Sequence, residues 1–146
     1  QGANVEQALE LADIYRRMNL VQLFESLTMN VIRQDNLPPE VILRVANQYA
    51  QMNRADWLGV ALERYLQKDP NNAQVWVDYA ATQVINQKRR DGLHSLRRAI
   101  ELGGEPMREH LRKDPRFTAL REQPEFKRLV PPIQSSLPAN FTLPGF

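Results

Sequence analysis

Apolar residues recur at three- and four-residue spacing along most of the chain, the period of helices that bury one face. Ile42, Val45, Ala46 and Tyr49 form one such stripe, and Leu58, Ala61, Leu62, Tyr65 and Leu66 form the next. A second pair follows: Val75, Trp76, Tyr79 and Ala80, then Leu93, Leu96, Ala99 and Ile100. The breaks between stripes agree with this reading. Pro38-Pro39 interrupts the chain, and Glu40 then puts an acid in a first helical turn, where it suits the helix dipole. Asn53 and Asn86-Gln87 mark turns inside the pairs, Asp69-Pro70-Asn71-Asn72 ends the first pair, and Gly103-Gly104 is a helix stop.

The pairs repeat. Sliding the chain by 34 residues aligns Leu11 with Val45 and Tyr79, and Ala12 with Ala46 and Ala80. Tyr15 falls on Tyr49 and Gln83, and Asn19 falls on Asn53 and Gln87. Two antiparallel helices joined by a short link approach closely only where a side chain is small, so Ala46 and Ala80 are expected at the crossings, with Gly92 and Ala99 opposite. Trp76, Tyr79, Tyr49 and Leu62 are expected to fill the grooves around them.

The second and third units resemble tetratricopeptide repeats. The third carries Trp76, Tyr79, Ala80, Gly92, Leu96 and Ala99 at the family's positions, and departs at Gln83, where an aromatic is usual, and at Gly104, where Pro is usual. The second carries Ile42, Val45, Ala46, Tyr49, Leu62 and Pro70, and departs at Leu58 and Tyr65, large where small is common. The first keeps Leu11, Ala12 and Tyr15, while Leu23, Phe24, Leu27 and Val31 run slightly out of register. The resemblance implies an all-α, right-handed α-α superhelix of three helical hairpins, over about residues 5–38, 39–72 and 73–104.

A different repeat follows. Leu111-x-x-Asp114-Pro115-x-Phe117-x-x-Leu120 is echoed nine residues on by Leu120-x-x-Gln123-Pro124-x-Phe126-x-x-Leu129. Asp114 suits an N-cap, and Pro suits a first helical position. Residues 105–130 therefore read as a helical cap presenting Phe117 and Phe126 to Leu93, Leu96 and Ile100 on the open face that a terminal solenoid unit leaves. Pro131, Pro132, Pro138 and Pro144 make residues 131–146 an extended, non-helical tail. Its Leu137, Phe141, Leu143 and Phe146 suggest a segment able to dock on the concave face of its own or a neighbouring copy.

Composition narrows the chemistry. The 146 residues are 42% hydrophobic with a net charge of +2, an ordinary globular balance that does not itself imply nucleic acid. Without cysteine there is no disulfide, thiolate nucleophile or cysteine-ligated metal, and His94 and His110 are too few for a histidine metal site. No phosphate loop or nucleophile elbow occurs. Neighbouring acids such as Glu6/Glu10 and Glu122/Glu125 have the spacing of a solvated helix face. Lys88, Arg89, Arg90, Arg97 and Arg98 also read as a solvated face, with no interleaved aromatic to favour nucleic acid. Asn140-Phe141-Thr142 fits a glycosylation triplet. No apolar run reaches the roughly 18 residues of a membrane span. Residues 1–4, opening Gln1-Gly2, read as a tag remnant and lead-in to a piece of a longer protein.

The resemblance places the ligand surface on the concave face, made by the first helix of each pair. Its exposed positions are expected to be Leu9, Asp13 and Arg16, then Leu43 and Asn47, then Gln74, Val77, Ala81 and Val84. Family members that clamp a peptide carboxylate use Lys, Asn and Arg here; Leu9, Leu43 and Val77 rule against that clamp, and only Asn47 fits. The expected role is non-catalytic: a scaffold binding a protein or peptide, as a monomer or weak homodimer. No cofactor, metal or nucleic acid is called for, and membrane contact would come only through parts outside this chain. Two alternatives stay open: a soluble appendage of a larger, membrane-anchored bacterial protein, or the accessory domain of an enzyme whose catalytic part lies upstream.

Overall fold

The computed structural model describes residues 2–132, so the proposed docking of the tail and the glycosylation triplet lie outside the described residues. Within them the chain is all-α and helices follow one another in pairs. The first hairpin is α1 (Gly2–Arg17) and α2 (Val21–Ile32), the second α3 (Pro39–Gln51) and α4 (Ala55–Lys68). The third joins α5 (Ala73–Ile85) to α6 (Arg89–Lys113). A 3-10 helix (Pro115–Leu120) and α7 (Pro124–Leu129) complete the chain. Among the described residues no helix is long and apolar enough to cross a membrane.

The turn inside each hairpin is built the same way three times. Asn19, Asn53 and Gln87 have φ of 59°, 57° and 65°, the left-handed conformation that ends a helix. The next amide then reaches back to the last turn: Leu20 N to Tyr15 O at 2.8 Å, Arg54 N to Tyr49 O at 3.1 Å, Lys88 N to Gln83 O at 2.8 Å. Asparagine tolerates this region; glutamine has no such advantage. Starts are equally local. Pro39 and Pro124 stand in first turns, and the Asn72 side chain accepts from Val75 N at 3.2 Å.

Gly104 breaks α6 internally rather than ending it: its φ of 66° and ψ of −151° interrupt the helical path, and Pro106 opens the second stretch. That break lets the chain turn and cover the last hairpin. Leu111, Phe117, Leu120, Phe126 and Val130 join Val77, Ala81, Leu93, Leu96 and Ile100 in one core. The remaining core runs from Val5 to Val75 through the first two hairpins, and Trp76 packs against both.

The crossings are tight where expected. Ala46 and Ala80 are buried, and a Cβ on Gly92 would lie 3.3 Å from Ala80 O and 3.1 Å from Val84 Cγ2. Two expectations need correction, and one buried residue was not anticipated. Leu11, aligned with the buried Val45, is 40% exposed, because α1 is the first described helix and no preceding hairpin covers that side. Trp76 is only half-buried; its indole N–H donates to Pro70 O at 2.7 Å, an edge position. The buried tryptophan is Trp57, packed with Phe24 and Tyr49 and covered by the Arg54 guanidinium 3.6 Å from its ring centre.

Candidate interaction surfaces

The first helices of the hairpins carry all nine residues expected on the concave face, and the structure divides them. Leu9, Val77 and Ala81 are buried, at 3%, 0% and 4% exposure, and offer nothing to a ligand. The reason is geometric. The side of one first helix that looks outward in isolation is the side on which the next element packs; Val77 and Ala81 are covered by the chain's own cap. Leu43 and Val84 are half-buried against the first and second cores. Asn47 and Gln74 are exposed, and Asp13 and Arg16 partly so.

Ion pairs organise this face. Arg44 Nη1 on α3 holds Glu6 Oε1 on α1 at 2.6 Å. Arg116, in the 3-10 helix, holds Asp78 on α5 at 3.1 Å. One pair ties α1 to α3 and the other ties α5 to the 3-10 helix; by the 34-residue repeat Glu6 aligns with Gln74, so the second pair is set one turn along from the first. Between α3 and α5 the repeat counterparts of Glu6 and Arg44 are Glu40 and Asp78, two acids, and no ion pair joins these helices among the described residues. Arg16 pairs within its own helix, with Asp13 at 2.6 Å. The Arg44 guanidinium holds the Glu6 carboxyl below its ordinary range, and Arg16 does the same for Asp13. Arg116 lowers Asp114, which caps the 3-10 helix through Arg116 N at 3.0 Å. The exposed Gln74 side-chain amide donates to Asp78 at 3.1 Å.

A second surface lies on the far side of α5. Glu63 and Leu66 of α4, Trp76 and Tyr79 of α5, and Asp91 and Ser95 of α6 line an open groove of about 390 Å3. Gln83, at the repeat position where an aromatic was expected, is buried beneath it and accepts from Ser95 Oγ at 2.6 Å. Sequence reading saw Trp76, Tyr79 and Gln83 only as packing positions. The signal it lacked was the convergence of three helices, which no single helical stripe contains. Among the described residues no group of three His, Cys, Asp or Glu is placed to hold a metal ion. His110 sits 3.5 Å from Asp114 in the cap.

No family model and no curated protein sequence matches the chain. Among solved structures it is similar to SycD, the type III secretion translocator chaperone of Yersinia enterocolitica. The TM-score is 0.50 at 14% identity, covering 88% of this chain and 87% of that one. At this identity the likeness establishes the helical-hairpin fold alone.

Proposed function

We propose that this chain is a non-catalytic scaffold that seats a segment of a partner protein across the first helices of its hairpins, at the junction of α3 and α5. One observation carries the reading: ion pairs tie α1 to α3 and α5 to the 3-10 helix, while no ion pair joins α3 to α5 among the described residues and Asn47 on α3 and Gln74 on α5 stand exposed. The half-buried Leu43 and the exposed amides suit an extended peptide, whose backbone needs donors and acceptors and whose side chains need apolar contact. Asp13 and Arg16 flank the approach on α1. The structural neighbour, named for its role as a translocator chaperone, is consistent with a protein partner.

The test is selection of displayed peptides on the full chain, followed by affinity measurement on N47A and Q74A variants. Both positions are exposed, so melting should be unchanged. Selected peptides are expected to share a motif and to weaken roughly tenfold on the variants, about 1.4 kcal/mol. A purely structural appendage would yield no shared motif. Absence of a motif, or equal affinity for the variants, would reject this site.

A further inference from the structure

We propose that the groove on the far side of α5, floored by Trp76 and Tyr79 and rimmed by Glu63 and Asp91, binds the guanidinium of an arginine side chain on a partner protein. The far side follows from helical period: Trp76, Tyr79 and Gln83 project away from the face that carries Gln74 and Ala81. Asp91 and Ser95 present one face of α6 to them, and Glu63 comes from α4.

Charge points to a cation. The chain holds 19 Lys and Arg against 17 Asp and Glu, yet no lysine or arginine lines this groove. Glu63 and Asp91 form no ion pair among the described residues, whereas Arg98 just beyond the groove is taken by Glu101 at 2.6 Å. Both free carboxylates act on the same phenol: burial first, then Glu63 and Asp91, raise the Tyr79 hydroxyl above its ordinary value, with the Gln83 amide opposing. The two acids therefore flank Tyr79 from two different helices.

Geometry narrows the cation to arginine. The protein makes the complete arrangement once within itself: the Arg54 guanidinium stacks 3.6 Å over the Trp57 ring and is held by Asp56 at 2.7 Å. A planar guanidinium gains from an aromatic face and from carboxylates at its edge together, which a lysine ammonium does less well. The groove offers the same two ingredients, with its arginine missing. Arg98 reaches only the Trp76 end, 5.7 Å from that ring. The open place is over Tyr79, between the carboxylates, with His94 alongside. The buried Gln83–Ser95 hydrogen bond fixes the floor, so the site requires no rearrangement to be filled.

The experiment is an NMR titration of the full chain with N-acetyl-argininamide at low ionic strength, against N-acetyl-citrullinamide and N-acetyl-lysinamide. The citrulline probe keeps the shape and removes the charge. Saturable shifts are expected at the Trp76 indole N–H, the Tyr79 ring and the Asp91 amide, with the lysine probe weaker and the citrulline probe silent. An E63Q/D91N double variant should stay folded, with a small melting loss because Asp91 stands in the first turn of α6, and lose roughly tenfold in affinity. N47A and Q74A should leave the titration unaltered, which separates this site from the peptide surface above. Equal binding of citrulline or lysine, shifts spread over the whole acidic surface, or an unaffected double variant would each overturn the proposal.

Discussion

Tyr49 shows what a single buried hydroxyl does in this core. Its ring packs against Phe24 and Trp57, and its O–H donates to Thr28 Oγ1 at 2.8 Å. Thr28 in turn donates to Phe24 O at 2.8 Å, so the chain of bonds ends on backbone and every donor is used. Burial pushes the Tyr49 phenol up to about 12, with the Thr28 hydrogen bond acting the other way. Above its unfolded value near 10 the unfolded chain releases this proton first, so the folded state loses stability as pH rises from about 10 toward 12. Urea unfolding across that window should show the decline, and Y49F should reduce it. At neutral pH the same variant should cost about 0.5–1.5 kcal/mol, because Thr28 keeps its own bond. A decline of equal depth in Y49F would assign the alkaline loss to other tyrosines.

At the scale of elements the critical residues are those that end or break helices. Gly104 occupies a backbone region open essentially to glycine alone, and a Cβ there would meet only Pro106 Cδ, at 3.9 Å. Space is not the constraint, so G104A should cost about 1–3 kcal/mol through backbone strain alone. Gln87 is the converse case. It adopts φ of 65° in a turn whose counterparts are asparagines, and Q87G should stabilise by about 0.5–1 kcal/mol. Thermal melts of the two variants should move in opposite directions; movement the same way would contradict the turn assignment. These turns were legible in advance because Asn19, Asn53 and Gln87 fall on one repeat period, and a turn is decided by residues close in sequence. The site was less legible. Leu9, Val77 and Ala81 have the pattern of an outward strip, and nothing within their own helices says that the next element will cover them. Trp57 was missed for a similar reason: its burial depends on Phe24 and Tyr49 from other helices. Asn47 and Gln74, where only local exposure was at issue, do stand on the surface.

At the scale of the molecule, the cap decides whether the solenoid has an open end. Five of the twelve buried residues in the second core, Leu111, Phe117, Leu120, Phe126 and Val130, come from beyond Gly104. Without them Val77 and Ala81 would face water, which is the apolar strip that a reading of the first helices alone anticipates. The covering is also electrostatic: Arg116 joins the capping Asp114 at 2.8 Å to Asp78 of α5 at 3.1 Å. Phe117 is fully buried, so F117A should cost about 3–5 kcal/mol, close to the loss of a core aromatic anywhere in a cooperative domain. R116A removes a partly exposed guanidinium but leaves the buried Asp114 carboxylate without its main partner, so it should cost about 1–3 kcal/mol. If the cap and the last hairpin unfold together, as a shared core requires, amides in α5 and in the 3-10 helix should exchange with the same protection in the native protein. Truncation after Gly104 should then lower the melting temperature and raise light scattering at once, because stability and solubility depend on the same apolar face. A monomeric 1–104 fragment with unchanged melting would mean that the cap rests on the hairpin without supporting it.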